Sequence, residues 1–201
     1  MPSSTRQVPS TTDNELGVSG SEELRSADLG PPGRLWTVGH STHPIDELIA
    51  LLRRPGITRV ADVRRFPGSR KHPQFNPDAL ARALADAGIA YTPFPDLGGR
   101  RKARADSPHT RWRNEAFRGY ADYMDTPEFA AAAARLAELA RADRVAIMCS
   151  EGVWWRCHRS LIADYFKVRG WQVLHILGAA EPKEHPYTSA ASIVDGVLTY
   201  R

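Results

Sequence analysis

Between positions 34 and 177 the chain alternates short apolar runs with longer segments whose apolar residues recur every three or four positions. LWTV (35–38), RVADV (59–63), IAYTPF (89–94), RVAIM (144–148) and WQVLHIL (171–177) read as five strands. Between the first two, IDELIALLRR carries apolar residues at 45, 48, 49 and 52, with Pro44 at the expected first helical position and Gly56 past the end. Asn76-Pro77-Asp78 has the order cap, proline, acid of a helix start, and Gly88 closes that helix. Thr126-Pro127-Glu128 opens another by the same logic, and CHRSLIADYFKVRG reads as a last helix ended by Gly170. DGVLTY (195–200) is expected to form a short terminal strand.

Strands alternating with helices of this length imply βαβ crossovers. The expected fold is therefore α/β: a single compact domain, residues 34–201, with a mostly parallel five-stranded sheet and helices on both faces. Residues 1–33 are rich in Ser, Thr, Pro and Gly and poor in large apolar side chains, so they are expected to be a disordered tail. In such a sheet, ligands bind at the carboxyl ends of the strands. That edge should receive the segments after strands one, two and four: GHSTH (39–43), RRFPGSR (64–70) and CSEGVWWR (149–156).

Charge sharpens this picture. Residues 53–113 carry fourteen Lys or Arg against five Asp, a balance of +9, while residues 1–33 carry two Arg against five acids. A basic middle next to an acidic tail points to an anionic partner, either a small phosphorylated molecule or nucleic acid. No apolar run reaches the roughly 20 residues that span a bilayer, so no membrane partner is expected. The first residues lack a basic stretch followed by an apolar core, and the two cysteines lie in one motif, so the expected compartment is a reducing cytoplasm.

The candidate chemistry lies in four clusters. In GHSTH, Gly39 permits a tight turn, Ser41 sits near a helix N-terminus that favours anions, and His40 is a candidate acid or base. In the second, Asp62 lies in an apolar strand and needs a partner, for which Arg64 is the natural choice. Ser69 and Arg70 belong to a turn whose N–H groups suit a phosphate. In the third, Gly98 and Gly99 allow close approach, and the basic run 100–104 with Arg111 and Arg113 interleaves with Trp112, Phe117, Tyr120 and Tyr123. That mixture suits a nucleic-acid backbone and stacked bases, although the spacing of the aromatics is also that of helix packing. In the fourth, Cys149 ends a strand as a nucleophile would, and Arg156, His158 and Arg159 favour its thiolate. Six residues separate Cys149 from Arg156, which departs from the phosphatase pattern of Cys, five residues, Arg. The absence of a Cys-x-x-Cys pair argues against ordinary zinc ligation. Glu151, His40 and His158 are the expected proton carriers. Arg64, Arg70 and Arg159 are the expected anion ligands, and Cys157 reads as a buried helix residue.

The clusters, in this order, resemble a bacterial and archaeal family known as domain of unknown function 488. The resemblance runs through TVGHSTHPIDELIALLRRPGITRVADVRRFPGSRKHPQFN, FPDLGGRR, WRNEAFRGYADYM, VAIMCSEGVWWRCHRSLIADYF and HIL, spanning residues 35–177. It implies a compact α/β domain and a shared set of polar positions. Here these are His40, Ser41, Asp62, Arg64, Ser69, Gly98, Gly99, Cys149, Glu151, Cys157, His158 and Arg159. It implies no reaction, cofactor or oligomeric state. The leading expectation is a hydrolase or group transferase acting on a phosphorylated, nucleotide or nucleic-acid substrate. A non-catalytic nucleic-acid-binding module is one alternative. A metal or redox site using Cys149, Cys157 and a nearby His is the other.

Overall fold

The computed structural model describes residues 29–201. The tail expected over 1–33 thus lies outside the described residues as far as position 28. Within its last five residues, Leu29 is buried in the core, and its carbonyl accepts a hydrogen bond from Arg141 Nη1.

The sheet has six strands: β1 (Arg34–Gly39), β2 (Arg59–Asp62), β3 (Ala90–Pro93), β4 (Val145–Cys149), β5 (Gln172–Ile176) and β6 (Lys183–Glu184), in the order β3-β2-β4-β1-β5-β6. The five expected strands are present and mutually parallel. The sixth is a two-residue antiparallel edge on β5, too short to leave a period-two signal. Among the described residues, five helices cover the sheet: α1 (Ile45–Arg53), α2 (Pro77–Asp86), α3 (Glu115–Met124), α4 (Pro127–Ala142) and α5 (Arg159–Val168). DGVLTY contributes to a separate hairpin, β7 (Ser192–Val194) and β8 (Val197–Thr199). Asp195 and Gly196 both have positive φ there, as a tight hairpin turn requires.

Strand alternation builds the core on two sides. Trp36, Val38, Val60, Ala146 and Met148 pack with Leu48, Leu52, Leu80 and Leu84 of α1 and α2. Leu35, Ala61, Val145, Ile147, Cys149 and Val173 pack with α3, α4 and α5. Fully burying each of these large aliphatic side chains contributes about 1.5–3 kcal/mol, which is why the period-two pattern is obeyed.

Local signals behave unequally. Thr126 caps α4, its Oγ1 accepting from Phe129 N at 3.3 Å. Pro44 occupies the cap of α1 rather than its first turn. Asn76 precedes α2 without capping it, because its Oδ1 instead accepts from Ser69 N at 2.7 Å.

β4 lies between β1 and β2. The chain leaves β1 and β2 toward α1 and α2 on one face, and leaves β4 toward α5 on the other. Both neighbours of β4 therefore diverge from it at their carboxyl ends. This is the arrangement that opens a crevice in doubly wound folds.

Candidate functional site

The polar clusters after β1, β2 and β4 meet at this edge, sorted by face into two networks. On the α1/α2 face, Arg64 is 7% exposed and its guanidinium is fully committed. Nε and Nη2 form a bidentate pair with Asp62 at 2.8 and 2.6 Å. Nη2 also donates to Phe75 O (2.9 Å), and Nη1 to Pro67 O and His40 Nε2 (both 3.3 Å). All five N–H groups have protein acceptors, so Arg64 clamps the loop 64–76 and offers no donor to an anion. Asp62 takes a further bond from Tyr91 OH at 2.8 Å. His40 stacks on Phe75 at 4.0 Å, and its Nδ1 donates to Ser41 O at 2.9 Å. Burial is the main force lowering its pKa to about 4, with the neighbouring Arg64 charge assisting. His40 is thus a neutral brace for Arg64, with both ring nitrogens occupied.

The other expected anion ligands disperse. Ser41 has positive φ, and its N–H reaches Ser150 O at 3.0 Å. Ser69 Oγ accepts from His72 N, closing a small turn within its own loop. Arg70, Arg113 and Arg156 are exposed. The aromatics of 112–123 pack in or against the core, with Tyr120 fully buried and its hydroxyl donating to Leu97 O at 2.8 Å.

On the α3–α5 face lies a tighter constellation. Cys149 Sγ, Cys157 Sγ and a ring nitrogen of His158 lie within 4.8 Å of one another. Cys149 ends β4. Cys157 precedes α5, turned inward by a 3-10 turn over Trp154–Arg156. His158 Nε2 donates to Val63 O at 3.2 Å, and its Nδ1 lies 3.6 Å from Cys157 Sγ. Gly99 makes room there, since a Cβ on it would stand 2.8 Å from His158 Nδ1.

Arg159 completes the cluster. It is 1% exposed and its described partners include no carboxylate. Nε donates to Cys157 Sγ (3.4 Å), Nη1 to Thr37 Oγ1 (3.4 Å), and Nη2 makes a short bond to Glu151 O. Glu151 thus contributes its carbonyl, while its side chain is exposed. A buried guanidinium requires an anion nearby, and the sulfur at its Nε is the available one. Hydrogen bonding from Cys149 and then the Arg159 charge draw Cys157 down to about 6 against its burial. Cys149 is pushed up to about 12, first by its bond to Cys157 and then by burial. Arg159 Nε lies against Cys157 Sγ, so the guanidinium favours the anion on Cys157 over Cys149.

Two sulfurs and an imidazole nitrogen at this spacing can act as a thiol pair with a base, or accept a soft cation. The guanidinium against Cys157 favours the first use, because one thiolate balances its charge whereas a divalent cation would add to it.

Sequence reasoning passed over a chain of buried polar residues behind Arg159. Thr37 Oγ1 meets His175 Nδ1 (2.7 Å), His175 Nε2 meets His185 Nδ1 (2.8 Å), and His185 Nε2 meets Asp164 Oδ1 (2.9 Å). The signal was present: His175 in an apolar strand and Asp164 in an apolar helix raise the same question as Asp62.

At the opposite end of the sheet, a cavity of about 370 Å³ is lined by Arg34, Trp36, Arg141 and Arg144 among others. Arg141 and Arg144 there donate to the carbonyls of Leu29 and Pro55, which makes them structural ties. Among the described residues, no helix is long and apolar enough to cross a membrane.

A family model described as "Domain of unknown function DUF488" matches residues 44–166. No curated protein and no solved structure matches the chain.

Proposed function

The chain belongs to the family of domain of unknown function DUF488, whose description assigns no reaction, and we propose from the site itself that it is a thiol-dependent redox enzyme with Cys157 as attacking thiolate and Cys149 as resolving thiol. One observation carries this reading: the buried Arg159, with no carboxylate among its described partners, aims Nε at Cys157 Sγ, with a second thiol and an imidazole alongside.

The chemistry balances with a small disulfide as oxidant. The Cys157 thiolate attacks one sulfur of the disulfide, forming a mixed disulfide and expelling one substrate thiolate. Cys149 gives its proton to His158 Nδ1 and attacks the Cys157 sulfur, forming the Cys149–Cys157 bond and expelling the second thiolate. The protein loses two electrons and the substrate disulfide gains them. A peroxide serves equally: Cys157 becomes a sulfenic acid with release of alkoxide or hydroxide, and Cys149 condenses with it, releasing water. The exposed basic rim at the same edge, Arg70, Lys71, Arg100 and Lys102, favours approach of an anionic substrate.

The test treats reduced, full-length protein with hydrogen peroxide or glutathione disulfide and reads the mass of the Cys149 and Cys157 peptides. An intramolecular disulfide is expected in the wild type, a trapped glutathione adduct on Cys157 in Cys149→Ser, and no reaction at Cys149 in Cys157→Ser. Stoichiometric metal bound to purified protein, with both thiols inert until it is chelated, would overturn the reading in favour of a metal centre.

A further inference from the structure

Arg159 is the hinge between the thiols and a second buried network, and that network has a direction. Asp164 is fully buried, and its two oxygens take four hydrogen bonds: from His185 Nε2 and Thr188 N on Oδ1, and from Thr188 Oγ1 and Tyr200 OH on Oδ2. A carboxylate that accepts on both oxygens obliges His185 to donate from Nε2. With one ring proton on each imidazole, His185 accepts at Nδ1, so His175 donates from Nε2. His175 then accepts at Nδ1, so Thr37 donates its hydroxyl proton to it. The Thr37 oxygen is left to accept from Arg159 Nη1. Every link points the same way, from Arg159 to Asp164.

The surroundings hold this order. Thr37, His175, His185 and Asp164 are each 0–1% exposed. Trp154 stacks on His175 at 4.4 Å with rings nearly parallel, and meets His185 edge-on at 5.1 Å. Burial, with the neighbouring His185 and Arg159, holds His175 well below the ordinary histidine range, so it does not charge near neutrality. The chain ties β1, β5, α5 and the segment 185–200 to a single guanidinium.

We infer that Asp164, His185, His175 and Thr37 are positioning residues for Arg159, forming a polarised relay that carries the Asp164 charge to the guanidinium and holds it against Cys157. The relay rests on the thiolate reading of Cys157 and explains how that thiolate is maintained. Aligned hydrogen bonds in a dry interior reinforce one another. Thr37 draws on Arg159 Nη1 and fixes the plane of the guanidinium, so Nε faces the sulfur. The groups facing Cys157 are Arg159 from α5, Cys149 from β4 and the adjoining His158, which is backed by Tyr120 of α3. Of these, only Arg159 joins the relay.

The relay is tested at Thr37, whose hydroxyl bonds to His175 and Arg159. Thr37→Val keeps the shape of the side chain and removes the hydroxyl, while Thr37→Ser restores it. The readout is the pH profile of Cys157 alkylation by iodoacetamide, followed by peptide mass. Thr37→Val should move the midpoint up by about one pH unit and slow alkylation below it by about tenfold. Thr37→Ser should return both toward wild type. A folded Thr37→Val protein with the wild-type profile overturns the relay and leaves the thiolate reading standing. A wild-type Cys157 that titrates as an ordinary thiol overturns both. Nitrogen-15 NMR of the wild-type imidazoles provides a check that does not depend on a variant folding. His175 should be the Nε2–H tautomer and resist protonation at neutral pH, and an Nδ1–H tautomer there overturns the direction of the relay.

Discussion

Arg159 and Arg64 look alike in the sequence, each an arginine within two residues of a reactive-looking side chain, and burial gives them opposite meanings. Arg64 meets a carboxylate and three further acceptors, so its charge is settled within the protein. Arg159 meets a thiol, a hydroxyl and a carbonyl, so it presses one sulfur toward the anion. Thr37, 122 residues from Arg159, and His40, 24 residues from Arg64, contribute to this difference, and a local sequence window cannot contain them. The glycines at the edge show the same dependence on distant atoms. A Cβ on Gly39 would stand 1.9 Å from Glu151 O, whereas one on Gly68 meets nothing within 4 Å. Gly39→Ala is therefore expected to force apart the turns after β1 and β4, costing about 1–3 kcal/mol or more. Gly68→Ala should change stability by less than about 0.5 kcal/mol. Denaturant unfolding of the two variants checks the contrast. Equal effects would mean that the β1–β4 crossing is looser than the geometry requires.

At the scale of elements, five strands and four of the helices were legible because each obeys a period imposed by burial on both faces of the sheet, whereas α3 showed only as a helical spacing of aromatics. The segments between them were less so. The 3-10 turn over Trp154–Arg156 has no periodic signature, yet it turns Cys157 inward beside Cys149. Reading the helix as starting at Cys157 hid that thiol on a helix face. Asp62 was recognisable as a polar residue in an apolar strand, and Arg64 as its partner. What stayed hidden was that this pair anchors the loop from β2 to α2 through Phe75 O and Pro67 O. Arg64→Met should therefore leave the buried Asp62 without its cation and cost about 3–5 kcal/mol. Adding Asp62→Asn should recover part of that loss, because the uncompensated charge is gone. Denaturant midpoints of the two single variants and the double variant measure the coupling. Additive losses would mean that the two residues act independently.

Over the whole molecule, the insertion of β4 between β1 and β2 was not readable from the order of elements, since a parallel crossover can skip a neighbour. That insertion is what brings the thiols of the β4–α5 connection beside the carboxyl ends of β1 and β2. It also couples the stability of the entire domain to the ionisation of this edge. Cys157 is lowered from 9.0 to about 6, so the folded protein holds fewer protons than the unfolded chain between those values. Its contribution is present above 9 and is lost as pH falls through about 6. Cys149 is raised from 9.0 to about 12, so its contribution is present below 9 and is lost as pH rises through about 12. Together the pair gives stability a maximum near 9. His40, lowered from 6.5 to about 4, adds an acid limb: its contribution is present above 6.5 and is lost as pH falls through about 4. Reversible denaturation of the reduced protein across this range should therefore rise from pH 4, continue rising between 6 and 9, and then decline. In Cys157→Ser the rise between 6 and 9 should vanish while the acid limb remains, because His40 lies on the opposite face of the sheet. A Cys157→Ser curve parallel to wild type through that window would mean that the folded protein does not hold Cys157 as a thiolate. In that case Arg159 would need another anion to account for its burial.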